Sequence, residues 1–354
     1  MRDTFKSLFA SSVSALFSVT MMVVIFFYMK TRTIVYASEN TLEEKDASFT
    51  EKISNLLEVL PTTIDVTYEP ELKGVKIPVT DAITEDKFAL VPDMINGNLT
   101  IYLDGLSEGY YNEQKPSIDP NMISYVGVAH EDGATKLRIQ LKSVYEYTIK
   151  KENGTLYVKL QRPKEVFDMV VLIDAGHDDE DVGINANGIS EKTLIMSVIK
   201  KFNDLKKDSK IGFYFTKFAS NELSVAEKNS IIALTQADML ISIHAASDED
   251  ASQFGMNAYY NARLYTRGLT GSMLADCLLR NLAESVFGKA NGIYEANDNH
   301  PVVLNTMVPA VEIEIGHLTN VDEAALLKDE EYQLRIAQGI YSGILEAKSL
   351  SDIQ

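Results

Sequence analysis

VVLIDAGH, residues Val170 to His177, is an apolar run that stops at a glycine and a histidine. A short continuous run of this kind reads as a strand buried on both faces, the signature of a parallel sheet. Two later runs have the same form: MLISIH, Met239 to His244, and PAVEIEIGHLTN, Pro309 to Asn320. Between the first two lies GISEKTL, which carries Glu191. Ligand pockets in open α/β sheets gather at the carboxyl ends of the strands. His177, His244 and Glu191 presented there, with a fourth position left open, make the donor set of a catalytic Zn²⁺ site.

Strand-like and helix-like segments alternate from about Phe167 onward. The helix-like EKTLIMSVIKKFNDLKK is followed by KIGFYFTK, SVAEKNSIIALTQA, MLISIHAAS, GMNAYY, SMLADCLLRNLAESVF, VVLNT, AVEIEIG and a long terminal helical stretch. The alternation predicts an α/β domain: a mainly parallel sheet with helices on both faces. Plainer roles stay open for the candidates. His177 also suits a loop histidine, and Glu191 suits a helix N-terminus, where the dipole favours a carboxylate. Glu312 and Glu314 fall on one face of their strand, because side chains alternate with a period of two. His300, before Pro301, reads as a loop residue. Cys277, the lone cysteine, excludes an internal disulfide and reads as a buried structural thiol.

Four motifs in order resemble the zinc-dependent N-acetylmuramoyl-L-alanine amidases of bacterial cell walls: IDAGH (Ile173–His177), Gly188 with Ser190-Glu191-Lys192, SIHA (Ser242–Ala245) and PAVEIEIGHLTN. The resemblance covers about residues 168–348. It implies His177, Glu191 and His244 as zinc ligands and Glu314 as the catalytic glutamate, which would take a proton from water and deliver it to the leaving amine. Glu314 also lies nearer the strand's carboxyl end than Glu312, which stands where the family usually has an apolar residue. His317 occupies a position that is often aromatic in the family, suited to substrate contact or to packing. Glycines that usually follow the first zinc histidine are replaced by Asp178-Asp179-Glu180-Asp181, and a family arginine by Lys217. The interval from His244 to Glu314 leaves little room for an autoinhibitory helix.

The first half differs in character. Ser7 to Met29 carries no charge, enough to cross a bilayer, which takes about 20 apolar residues. Residues 1–30 are therefore expected to be a transmembrane anchor. Val35-Tyr36-Ala37 has the look of a signal peptidase site, but Lys30 and Arg32 separate it from a run longer than a signal sequence needs, which favours an uncleaved anchor. Residues 31–50 are polar and acidic and read as a stalk. Residues 51–165 open with a short helix-like piece and continue as strand-length runs punctuated by Asn-Gly, Asp-Gly and Pro, predicting a small all-β domain. Its second half, Met122 to Leu160, is similar to the AMIN-type domains that precede some cell-wall amidases. That resemblance implies envelope targeting, and a plain spacer is the alternative. Residues 166–354 form the catalytic domain.

A net charge of −18 argues against nucleic acid as a partner. The sequence thus predicts a single-pass membrane protein with an extracytoplasmic zinc amidase domain that cuts the bond between N-acetylmuramic acid and L-alanine in peptidoglycan. Envelope proteins are expected as partners of the β-domain. A wall-binding or scaffold protein with little turnover, and a zinc hydrolase of another amide, are the rival readings.

Overall fold

A computed structural model describes residues 52, 59–93, 96–177, 182–205, 210–216 and 223–352. The expected anchor, the stalk, most of the helix-like piece at 51–60, the acidic run Asp178–Asp181 and Lys217 lie outside the described residues. No helix among the described residues is long and apolar enough to cross a membrane. The chain divides into two compact units, Met1–Arg162 and Pro163–Gln354.

The first unit holds two five-stranded sheets. One runs in the order Thr62–Thr63, Ile123–Glu131, Ala134–Leu141, Asn98–Asp104, Phe88–Asp93. The other runs Thr67–Tyr68, Ser117–Ile118, Gly74–Pro78, Thr155–Gln161, Glu146–Glu152. Alternate residues of both, among them Leu99, Ile101, Leu137 and Ile139 from one and Ile77, Leu156 and Val158 from the other, form a single core. Asn153 and Gly154 both take positive φ, 48° and 69°, the pairing that a tight two-residue hairpin turn requires.

The second unit is built on one six-stranded sheet of β1 (Met169–Ala175), β2 (Ile211–Phe215), β3 (Met239–Ala246), β4 (Met256–Tyr260), β5 (Ala290–Glu295) and β6 (Ala310–His317). Their order is β2-β1-β3-β6-β4-β5. The first four in that order are mutually parallel, whereas β4 pairs antiparallel with β6 and parallel with β5. The sheet is thus mainly parallel with a reversed two-stranded edge. The apolar run VVLNT is strand-like in sequence. In its place stands a helical turn, Pro301–Leu304, because Pro301 at the first helical position loses only an N–H that has no partner there. The strand lies earlier, in β5.

Helices α1 (Glu191–Leu205), α2 (Val225–Thr235), α3 (Gly271–Val286), α4 (Val321–Leu327) and α5 (Glu330–Asp352) complete the unit. Odd-numbered residues of β1, β3 and β6, such as Ile173, Ile241 and Ile313, join Phe202 of α1, Leu278 of α3 and Ile340 of α5 in one core. Burying each such aliphatic side chain contributes about 1.5–3 kcal/mol. Gly339 and Gly343 let α5 approach α3 closely, since a Cβ at either would stand under 3 Å from the backbone of Leu282 or Leu278. Cys277 is buried in α3. On the even-numbered face Val170, Leu172 and Leu240 are also buried, and polar groups follow them toward the strand ends, where α2 sends Lys228 to Asp174 of β1 at 3.0 Å.

Candidate active site

The sheet brings His177, Glu191 and His244 together. His177 lies just past the carboxyl end of β1, in left-handed backbone at φ 68°. His244 sits near the end of the adjacent β3, and Glu191 is the first residue of α1. One ligand atom from each lies within 4.8 Å of the others. Glu191, only 2% exposed, gives each of its oxygens one backbone N–H and one imidazole nitrogen as partners. Oε1 accepts the N–H of Ala245 at 2.9 Å and lies 3.0 Å from His244 Nδ1. Oε2 accepts the N–H of Ile184 at 3.1 Å and lies 3.0 Å from His177 Nε2.

Burial pushes the Glu191 carboxyl upward, but His177, His244 and the Ala245 N–H more than reverse this and hold it well below the usual carboxylate range. Burial likewise lowers His244, and the Glu191 hydrogen bond, with the charges of Glu312, Glu191 and Asp174, overrides it and raises the imidazole. Surroundings that favour a proton on an imidazole also favour a cation shared by two imidazoles. The space is preserved by two glycines. A Cβ at Gly176 would stand 2.2 Å from His244 Cε1, and one at Gly183 would stand 2.6 Å from Glu191 Oε2 and 2.7 Å from His177 Nε2. Two imidazoles and a carboxylate in a cradle that a single methyl group would fill fit a metal ion.

Two cross-strand rows extend from this cluster over the same face of the sheet. The first runs His244, Glu314, Asn257, Gly292, and the second Asp174, Ser242, Glu312, Tyr259, Tyr294. Glu314 is therefore the direct neighbour of His244 and accepts the side-chain N–H of Asn257 at 2.7 Å. Burial drives the Glu312 carboxyl up to about 7; His244 pulls it back, while Glu314, Asp174 and Glu191 add to the rise. Tyr259 is pushed up to about 12 by burial and by the charges of Glu314 and Glu312.

His300 belongs to the second row's surroundings. Its ring stacks on Tyr259 with centroids 3.9 Å apart. The Asn297 N–H donates to His300 Nδ1 at 3.3 Å, which leaves the proton on Nε2, 4.0 Å from Glu312 Oε1. His317 is buried against the Gly255 carbonyl, at 3.0 Å, and beside Glu323.

Sequence reasoning missed Asn257 and Tyr259. Their spacing of two in GMNAYY was the available signal, since it puts both on one face of a strand. It also missed the buried pair of Asp174 and Lys228. Asp174 accepts from Thr216 at 2.6 Å, Ser242 at 2.8 Å and Lys228 at 3.0 Å.

Residues 171–346 match the family described as N-acetylmuramoyl-L-alanine amidase. The uncharacterized protein YqiI of Bacillus subtilis strain 168 is 30% identical over 190 residues, which are 54% of this chain and 90% of that one. This chain belongs to the N-acetylmuramoyl-L-alanine amidase family. Within that family, the amidase LytC of the same organism is 28% identical over 173 residues, 49% of this chain and 34% of LytC's own length. The catalytic domain of the amidase CwlV from Bacillus (Paenibacillus) polymyxa var. colistinus is 29% identical, with 51% of this chain and 98% of that domain aligned at a TM-score of 0.46.

Proposed function

We propose that this amidase-family protein hydrolyses the amide between N-acetylmuramic acid and the L-alanine of the stem peptide. The observation that carries the reading is the placement of Glu314 beside His244, in a sheet whose adjoining strand ends gather His177, Glu191 and His244. Bound by those three residues, Zn²⁺ would supply a Lewis acid that polarises the scissile carbonyl and makes a water acidic enough to attack near neutral pH. The N–H groups of Ala245 and Ile184 fix the Glu191 carboxylate between the two imidazoles. Glu314 takes the proton from the attacking water and delivers it to the leaving nitrogen as the carbon–nitrogen bond breaks. Asn257 holds Glu314 in position for both transfers. His300 stacks on Tyr259, the sheet neighbour of Glu312, and its Nε2 lies 4.0 Å from Glu312 Oε1, so both rings bear on that carboxyl.

The uncharged run Ser7–Met29 supports a single-pass membrane anchor with the catalytic unit outside the cytoplasm. The AMIN-type pattern of the first unit supports a role in envelope targeting. The test is to incubate the chain with purified peptidoglycan, with and without zinc, beside Glu314→Ala. Mass spectrometry should find stem peptides beginning at L-alanine, released only with zinc and lost in the variant. A folded, zinc-loaded protein that releases none would favour the wall-binding reading.

A further inference from the structure

We infer that Tyr294 and Tyr259 form a sugar-binding shelf at the reversed edge of the sheet, receiving the uncharged face of a pyranose ring beside Glu314. The inference rests on the amidase reading for the identity of the sugar. The second cross-strand row changes character along its length. It begins at Asp174, Ser242 and Glu312, which are buried or nearly so, and ends on Tyr259 and Tyr294. Tyr294 is 47% exposed on the edge strand β5. Its ring lies 5.7 Å from that of Tyr259, tilted by 33°, and Tyr259 is backed in turn by the buried ring of His300. The result is a braced stack of three rings with its outermost member open.

Gly292 gives the stack its direction. A Cβ there would stand 2.8 Å from the Tyr294 hydroxyl and 3.0 Å from the ring carbon that bears it. The phenol therefore leans over Gly292, the sheet neighbour of Asn257, which in turn holds Glu314. The open ring borders the row that carries the candidate catalytic carboxylate.

Charge selects the occupant. The Glu314 carboxylate bears on Tyr259, so a peptide rich in carboxylates is disfavoured on this side. The C–H face of a pyranose carries no charge and packs against the electron-rich face of a phenol. The chain has 17 tyrosines and no tryptophan, so tyrosine supplies this surface.

The test compares wild type, Tyr294→Ala and Tyr294→Phe on two substrates that share the scissile bond, a disaccharide-linked stem peptide and an N-lactoyl stem peptide lacking the sugar. Tyr294→Ala should raise KM for the first by about tenfold, with kcat held within about twofold, and leave the second unchanged. Tyr294→Phe should behave as wild type. Titration calorimetry in chelator, with a peptide-free disaccharide whose lactyl carboxyl is capped as a methylamide, should show the same loss for Tyr294→Ala. Equal losses on both substrates, no loss on either, or no binding of the disaccharide by wild type would overturn the shelf. If wild type cleaves neither substrate but binds the disaccharide through Tyr294, the amidase reading fails and the shelf stands.

Discussion

Asn257 donates a side-chain N–H to Glu314 Oε2 at 2.7 Å, across the one antiparallel pairing in the six-stranded sheet. The reversal of β4 is what brings an amide donor opposite the carboxylate that faces His244. A hydrogen bond to a charged group contributes about 1.5–3 kcal/mol, and each 1.36 kcal/mol is about tenfold in rate. Asn257→Ala should therefore lower kcat by about ten- to a hundredfold and change KM little. Steady-state kinetics on purified muropeptides checks this; an unchanged kcat would remove Asn257 from the positioning of Glu314.

Glu191 bridges the two histidines, so its loss should separate them. Metal analysis should find one equivalent of zinc in wild type and far less than one in Glu191→Ala or His244→Ala. A ligand at a hundred times its Kd stabilises the folded state by about 2.7 kcal/mol. Chelation should accordingly lower the thermal midpoint of wild type and leave the midpoints of both variants where they were. A variant that still binds one equivalent would exclude that residue as a ligand.

Gly183→Ala probes the cradle without replacing a candidate ligand. The new methyl group would lie within 2.7 Å of both Glu191 and His177, at a φ of +65° that alanine rarely adopts. Zinc affinity should fall by at least about tenfold, measured by competition with a chromogenic chelator. An affinity equal to wild type would mean that the loop yields and that the cradle has no role in holding the site's shape.

The candidate metal ligands were legible because each ends or adjoins an apolar run that becomes a buried strand, and such strands deliver their ends to one place. The parallel core was legible for the same reason. The reversed edge was not: β5 is the mixed segment ANGIYE, mostly exposed or half-buried, whereas VVLNT looks more strand-like and forms a helical turn after Pro301. Asn257, Tyr259 and His300 reach Glu314 and Glu312 only through strand order and register, which no local pattern in the sequence encodes. Glu312 was seen on the right face, but its cause for notice, a buried carboxyl flanked by other carboxylates, emerges only once Ser242 and Tyr259 are placed on either side of it.

Glu312 makes stability depend on pH. Its carboxyl titrates near 7 when folded, against an ordinary value of 4.5. Below pH 4.5 it is protonated in both states, and its ionisation favours neither. Between 4.5 and 7 only the unfolded chain releases the proton, so the folded state loses stability as pH rises. Above 7 the loss is complete, about 3 kcal/mol. In urea unfolding with chelator present, Glu312→Gln should gain on wild type by about that amount at pH 8 relative to pH 4. A difference between the two proteins that does not vary with pH would show that the carboxyl is not held protonated by the fold.

Lys228 and Asp174 are 4% and 0% exposed as side chains and lie 3.0 Å apart. Burial raises the Asp174 carboxyl, but the Lys228 charge and the hydrogen bonds from Thr216, Lys228 and Ser242 overcome it and hold the group ionised. Removing one partner of such a pair strands the other without water, which costs about 3–5 kcal/mol. Lys228→Met should destabilise the unit by that amount, although the apolar stem of lysine is largely replaced. Adding Asp174→Asn to the same chain should recover part of the loss, because the stranded charge is gone while Thr216 and Ser242 keep an acceptor. Chemical denaturation of the two variants and wild type at pH 7 decides the matter. If the double variant is no more stable than Lys228→Met, the loss comes from packing around Lys228, and the buried ion pair does not brace β1 beside the candidate metal ligands.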